Sequence, residues 1–362
     1  MANAEGCPVA VEVFEGNTGD PKTVATQIGK LRKRFKLEHV IVVGDRGMLT
    51  NARIREDLQP EGIDWITALR APQIQALVAG GALQLSLFDQ RDLAEISHPD
   101  YPGERLIACR NPLLAADRAR KRDELLAATE KELAKIQAQT QRPRKPLRGK
   151  DAIGMAVGKV IGHYKVGKHF DMVIEDAGFR YQRKQAQIDQ EAALDGIYVI
   201  RSSVQTEVAS AEQTVFHYKS LSTVERAFRS MKSVDLKVRP IHHHLADRVR
   251  AHVFLCMLAY YVEWHMRHAL APILFDDHDH ATAQAQRPSI VAPATRSSKA
   301  LHKVHSKRTD DGQPVHSFQT LLADLGTITK NTAVMNNNTM QILTTPTPLQ
   351  QRAFDLLAVS LH

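Results

Sequence analysis

The chain has 362 residues, a formal net charge of +8 and 43% hydrophobic residues. That hydrophobic share excludes general disorder, and the length allows one large domain with an insertion, or two domains. The positive balance favours a polyanionic partner, nucleic acid being the commonest, although many basic proteins bind nothing acidic.

Cys7, Cys109 and Cys256 are odd in number and far apart. They point away from a disulfide framework or a cysteine zinc site, and toward a reducing cytoplasm. No basic stretch followed by an apolar one opens the sequence, so no signal peptide is expected. The longest apolar run, residues 253–262, is about half of the ~20 residues that span a bilayer, and reads as a buried helix.

The first segment alternates in the manner of an α/β protein. Residues 9–14 form a β-rich run that stops at the turn signal Glu15-Gly16-Asn17-Thr18-Gly19-Asp20. Pro21 suits a first helical turn with Asp20 as its cap, and Val24, Ile28, Leu31 and Phe35 continue at helical spacing. Arg32-Lys33-Arg34 sits at the negative end of that helix. Residues 39–44 are a continuous apolar strand running into Asp45-Arg46-Gly47-Met48. A polar cluster directly after a buried strand is where α/β folds place their chemistry. A short helix over 54–58 and a strand over 63–69 follow.

Beyond Arg70 the character changes. Strand-like pieces at 83–88 and 105–108 precede a long charged helix at 115–138. Its apolar positions Leu126, Leu133 and Ile136 suggest a surface or coiled-coil helix. A proline-broken basic tract comes next, with Arg142, Arg144, Lys145, Arg148 and Lys150 and no acid. It reads either as a DNA-backbone contact or as a solvated loop. Strands are expected at 172–174 and 179–181, and residues 196–201 restart the sheet pattern. Helices follow at 222–233 and 245–268, then a loose linker over 276–311, a helix at 317–325, a hairpin at Asn336-Asn337-Asn338 and a last helix at 349–359.

Two places could carry chemistry. One is Asp45. The other is the helix holding Glu225, where Glu225, Arg229 and Lys232 share one face and Val224, Phe228 and Met231 form the expected buried stripe. Carboxylates on a strand end and on a packed helix can together hold Mg²⁺, and basic residues one and two turns on can contact phosphates. Each has a plainer alternative. Asp45 can be a turn residue. Ser222 with Glu225 spells a capping box, and Glu225 with Arg229 an ordinary ion pair. His242-His243-His244 with His252 reads as packing or phosphate contact rather than zinc, and residues 276–280 as a solvated charge run.

The spacing Tyr218…Glu225…Lys232 resembles the Tyr-x₂-Arg-x₃-Glu-x₆-Lys signature of a branch of DDE-class insertion-sequence transposases. Residues 14–20 and 42–48 look like that family's blocks around its second Asp, and 239–243 and 248–252 are similar to its segment after the catalytic helix. The resemblance implies an α/β, incomplete RNase H-like fold, with a mixed sheet flanked by helices, a β-rich plus long-helix insertion and a helical C-terminal region. Composition and pattern divide the chain into a first core part (1–69), an insertion (70–193), a second core part (194–275), a linker (276–316) and a tail (317–362), and the insertion agrees with the one that the resemblance implies between the second Asp and the Glu. The resemblance assigns Asp45 and Glu225 as catalytic and metal ligands for Mg²⁺ or Mn²⁺. Tyr218, Lys219, Arg229 and Lys232, with the basic tract, are then DNA-binding residues.

The implied activity is DNA cleavage and strand transfer at the element's ends. The partners are terminal-repeat and target DNA and a second copy or a full-length transposase, in the cytoplasm and away from any membrane. Two departures stand out. The signature arginine position holds Leu221, leaving Lys219 to supply that contact. No Asp lies at the place of the family's first Asp, so the chain is expected to be truncated and defective in cleavage. The competing expectation is a non-catalytic fragment that binds DNA, or pairs through the 115–138 helix, and inhibits an intact transposase.

Overall fold

The computed structural model describes residues 3, 5–35, 37, 39–234, 236, 238–287, 289–335 and 338–360. In its first half, helix α1 (Val24–Phe35) is followed by strand β1 (Ile41–Val43), helix α2 (Asn51–Arg53, prolonged by a π turn over Ile54–Leu58), β2 (Asp64–Ala68) and α3 (Ala71–Ala79). Next come β3 (Leu93–Ile96), β4 (Arg105–Arg110), α4 (Pro112–Thr140), α5 (Lys150–Tyr164), β5 (Phe170–Glu175), β6 (Gly178–Arg183), α6 (Gln185–Ala192) and β7 (Ile197–Ser202). The second half holds α7 (Ala211–Lys219), α8 (Leu221–Arg229, prolonged by a π turn over Ser230–Val234), α9 (Ala246–Leu270), α10 (His280–Ala285) and α11 (Ser298–Ser306). It ends with α12 (Phe318–Leu325), β8 (Lys330–Met335), β9 (Asn338–Leu343) and α13 (Pro348–Leu357). These form two compact units, Leu31–Val215, and Met1–Lys30 with Phe216–His362.

The first unit is built on a five-stranded mixed sheet ordered β1-β2-β7-β4-β3. β1 runs parallel to β2 and the other pairs are antiparallel. Leu106, Ile107, Ala108 and Cys109 on β4 and Val199 and Ile200 on β7 are all fully buried. Consecutive burial of this kind means that both faces of the sheet are covered, as the continuous apolar runs require. β7 pairs with β2 on one side and β4 on the other. Residues 70–193 are therefore not apart from the sheet, because β3 and β4 complete it. The strand expected at 83–88 is instead a 3₁₀ turn over Leu85–Leu87. Leu83 enters the sheet's apolar core with Leu77, whereas Leu87 faces out.

Helix α4 buries Leu126, Thr129, Leu133, Ile136 and Thr140, a spacing of alternating threes and fours. That stripe packs against Ile153 and Val157 of α5 and against Phe170 and Phe179 of the β5–β6 hairpin. From Leu126 onward its coiled-coil stripe is thus covered inside the chain, whereas residues 112–125 bury none of their side chains fully. Nothing in the sequence reading marked α5.

In the other unit the β-rich run 9–14 forms no strand among the described residues. Strand propensity alone does not make a strand without a ladder partner. Gly19, not Asp20, caps the short 3₁₀ turn Asp20–Thr23 before α1. The side chains of Arg32, Lys33, Arg34 and Phe35 lie outside those described. The apolar run 253–262 is helical, as expected, but only Met257 and Tyr260 within it are buried, while Leu255 and Val262 are more than half exposed. Among the described residues no helix is long and apolar enough to cross a membrane. The hairpin β8–β9 forms around the expected turn, whose Asn336 and Asn337 lie outside the described residues.

The segment expected as a loose linker is folded. It carries α10 and α11, and it buries Val291, Ser297, Ala300 and Lys303. Nor is 276–280 a solvated charge run. Asp277 accepts from the Ser297 amide and hydroxyl, both at 2.7 Å, and Asp279 caps α10 through the Thr282 amide at 3.3 Å. Lys303 Nζ donates to the carbonyls of Ala271 at 2.9 Å and Asp276 at 2.8 Å, and lies 3.3 Å from His278 Nδ1.

Burial, and then the Lys303 charge, hold the His278 imidazole below its ordinary range. The unfolded chain therefore takes up a proton there that the folded chain resists, and stability falls as pH drops through the ordinary histidine value of about 6.5. His278→Gln is expected to flatten the fall in urea midpoint between pH ~7.5 and ~5.5, since the variant has nothing to titrate there. An equally steep fall in the variant would refute the assignment.

Candidate active site

β1 and β2 are parallel, with Ile41, Val42 and Val43 beside Asp64, Trp65 and Ile66. The ladder reaches one residue further, because the Gly44 amide donates to Ile66 O at 3.1 Å. A Cβ on Gly44 would lie 2.8 Å from Leu49 Cγ, and Leu49 is 3% exposed. Glycine is what lets the chain leave the strand so close to a buried leucine. Asp45 follows at once and is exposed. Its Oδ1 accepts from the amides of Gly47 at 2.9 Å and Met48 at 2.7 Å. Asp45 is therefore a turn residue, the plainer of its two readings. That role uses one oxygen, and Oδ2 has no hydrogen bond among the described residues.

In the other unit, α7 and α8 are joined through Ser220, which itself has right-handed helical dihedrals. The capping box is not formed. Ser222 lies inside α8, and its hydroxyl donates back to Lys219 O at 2.8 Å. Glu225 is mid-helix and exposed, with no hydrogen bond or ion pair among the described residues. The buried residues of this stretch are Ala227 and Ser230, not the expected Val224, Phe228 and Met231; Phe228 is 47% exposed. The packed face is thus rotated by one residue. A Cβ on Gly6 would lie 2.5 Å from Thr223 Cγ2, so the inner face of α8 rests on glycine backbone. Arg229 is exposed on α8. Lys232 lies in the π turn with its ammonium 5.5 Å from the Phe228 ring centroid.

Lys219 does not fit a phosphate contact. Its ammonium donates to the carbonyls of Ile290 at 2.6 Å, Val291 at 2.7 Å and Ala292 at 3.4 Å, which takes all three hydrogens. Tyr218 is partly buried at the end of α7. Within the basic tract, Arg142, Arg144, Lys145 and Lys150 are exposed. The loop is held at both ends, by the Leu147 amide on Gln139 O at 3.0 Å and the Gly149 amide on Asp176 O at 2.9 Å. The Arg148 guanidinium is taken by the Ala177 carbonyl. His243 and His252 pack with ring centroids 5.4 Å apart, and among the described residues no three His, Cys, Asp or Glu side chains are grouped to hold a metal.

Sequence reasoning missed Arg70 and Arg201. Both line a cleft beside Asp45, together with Arg46. Arg70 follows β2 as Asp45 follows β1, so the same rule about polar residues at strand exits would have found it.

A mixed α/β chain with an exposed carboxylate at a strand exit, another on an amphipathic helix and a basic loop has the components of a nucleic-acid enzyme. A family model described as the Transposase DDE domain matches residues 1–262, and the chain belongs to that family. No curated protein and no solved structure matches it.

Replacing Lys219 by methionine strands three carbonyls, so Lys219→Met is expected to lower stability by about 2–3 kcal/mol in urea unfolding. The salt dependence of DNA binding should not change. A fall in the salt slope of about 0.9 with unaltered stability would instead mark Lys219 as a phosphate contact.

Proposed function

We propose that Asp45 and Glu225 act as catalytic carboxylates and divalent-cation ligands in DNA cleavage and strand transfer at insertion-sequence ends. The core would be RNase H-like, of the Tyr-Arg-Glu-Lys branch. The observation that carries this reading is the state of the two carboxylates. Asp45 is oriented through Oδ1 while Oδ2 stays open, and Glu225 is presented on a helix with no internal partner. Hard oxygen donors of this kind suit Mg²⁺ or Mn²⁺. The chemistry such an ion supplies when bound is activation of a water or 3′-hydroxyl and relief of charge at phosphorus.

The chain's own residues do the rest. The Gly47 and Met48 amides hold the Asp45 carboxylate in one orientation. Arg229, one turn beyond Glu225, is on the same helix face and meets the phosphates next to the cleaved bond, with Lys232 beyond it. Arg142, Arg144, Lys145 and Lys150 form a second contact with the DNA backbone. Leu221 occupies the signature arginine position and Lys219 is engaged by carbonyls, so that arginine's phosphate contact is absent from this helix. Glu12 pairs with Lys30, and Glu15, largely exposed, lies 4.0 Å from Arg250.

With two carboxylates, cation binding is weak but dependent on both. Calorimetric titration of the full chain with Mn²⁺ should show at least a tenfold loss of affinity in Asp45→Asn and in Glu225→Gln. Asparagine keeps the turn acceptor, so the fold is preserved. Unchanged affinity in either variant would mean that the two groups do not share an ion. Purified protein with Mg²⁺ should leave a supercoiled plasmid bearing the terminal repeats intact; a nick abolished by Asp45→Ala would overturn the two-carboxylate reading.

A further inference from the structure

The cleft beside Asp45 has a volume of about 420 Å³ and is lined by Arg46, Thr50, Asn51, Arg70, Gln73 and Arg201, with a leucine and two alanines between them. That volume is in the range of roughly 300–1,000 Å³ that small-molecule clefts occupy. No lining residue carries a carboxylate. Most of its polar side chains are already committed. Thr50 caps the Arg53 amide at 3.4 Å. Gln73 accepts from the Arg70 amide at 2.9 Å and donates to Tyr101 at 3.1 Å. Arg201, 7% exposed, makes a two-pronged pair with Glu104 at 2.6 and 2.5 Å and reaches Asn51 at 2.5 Å. Its charge is neutralised where it stands.

Arg46 and Arg70 differ from Arg201, the third arginine of the cleft. In the same unit Arg53, Arg91, Arg105, Arg110, Arg122 and Arg183 pair with carboxylates, whereas among the described residues Arg118, Arg142, Arg144 and Arg148 form no ion pair with an acid. Among the described residues neither Arg46 nor Arg70 meets an acid, and both are exposed. The one internal bond of the Arg70 guanidinium runs to Arg46 O at 3.3 Å, which ties the two residues together. Arg70 is also the N-cap of α3, whose positive end adds to the field. Two uncompensated guanidiniums over a recess without acids suit a phosphate group held by two forks of N–H donors.

We infer that this cleft grips a phosphodiester of a DNA strand and so positions the strand beside Asp45. This rests on the DNA-transposition reading above but not on metal binding, and the two can fail separately. Arg46 and Arg70 act as positioning residues. The measurement is fluorescence anisotropy of the full chain with a labelled duplex in EDTA, over a series of salt concentrations. Each of Arg46→Ala and Arg70→Ala should lower the salt slope by about 0.9, and the double variant by about twice that. Arg46→Lys and Arg70→Lys keep the charge and should keep the slope, which separates phosphate contact from misfolding. EDTA keeps this readout apart from cation binding, so loss of metal affinity in Asp45→Asn or Glu225→Gln bears only on the catalytic reading. A double variant with the parent's affinity and slope overturns the inference. So does a cleft that binds a free deoxynucleoside monophosphate through these arginines while duplex binding is unaffected by their removal.

Discussion

The parallel pairing of β1 with β2 is the constraint on which the rest of the candidate site depends. Parallel neighbours end at the same edge, so whatever follows one strand is set beside whatever follows the other. Asp45 leaves β1 and Arg70 leaves β2, and the Arg70 guanidinium reaches the carbonyl of Arg46. Trp65, Ile66 and Thr67 are consecutive and all buried, so both faces of β2 are covered, and β1 and β7 hold it on either side. Gly44 then permits the sharp exit over Leu49 that an alanine would obstruct. Geometry at the carboxylate is thus inherited from apolar packing several residues away.

The local setting of the two candidate acids was more legible than the architecture around them. Asp45 stood out because an apolar run ended in a polar cluster, and Glu225 because of its spacing to flanking residues; the first follows a strand and the second lies on a helix. What sequence could not deliver was the partner of each element. The stripe Leu126, Leu133 and Ile136 has the period of a coiled coil, and period alone does not say whether α5 or another chain fills the groove. Residues 9–14 have the composition of a strand, but a strand exists only through hydrogen bonds to a neighbour, which composition does not encode. The 276–316 segment looked loose because it is polar. Its order comes from polar groups satisfying one another, with Asp277 on Ser297 and Lys303 on backbone carbonyls. Hydrophobic pattern does not register that kind of cohesion.

The same distinction explains Lys219. Lysines close to a candidate catalytic acid read as DNA contacts by charge, yet an ammonium with three carbonyls around it is a fastener for the segment that carries them. Whether a cation faces solvent or backbone depends on tertiary contacts more than seventy positions away in sequence.

A site that presents carboxylates and must admit a polyanion faces an electrostatic conflict. Two like charges 4 Å apart repel by about 4 kcal/mol at an effective dielectric of ~20. Overall positive charge helps draw DNA in, but within a Debye length the local arrangement decides. Cations already paired with acids offer little to offset that repulsion, because their field is largely cancelled. Arg201 illustrates this, clamped by Glu104 despite lining the cleft. The useful cations are the ones the fold leaves uncompensated, and Arg46 and Arg70 are two of them within a residue or two of strand exits. Leaving them without acids forgoes only the small stabilisation of a surface ion pair, roughly 0–1 kcal/mol each. In exchange, the phosphate backbone meets guanidinium forks on the side where the carboxylate would otherwise repel it.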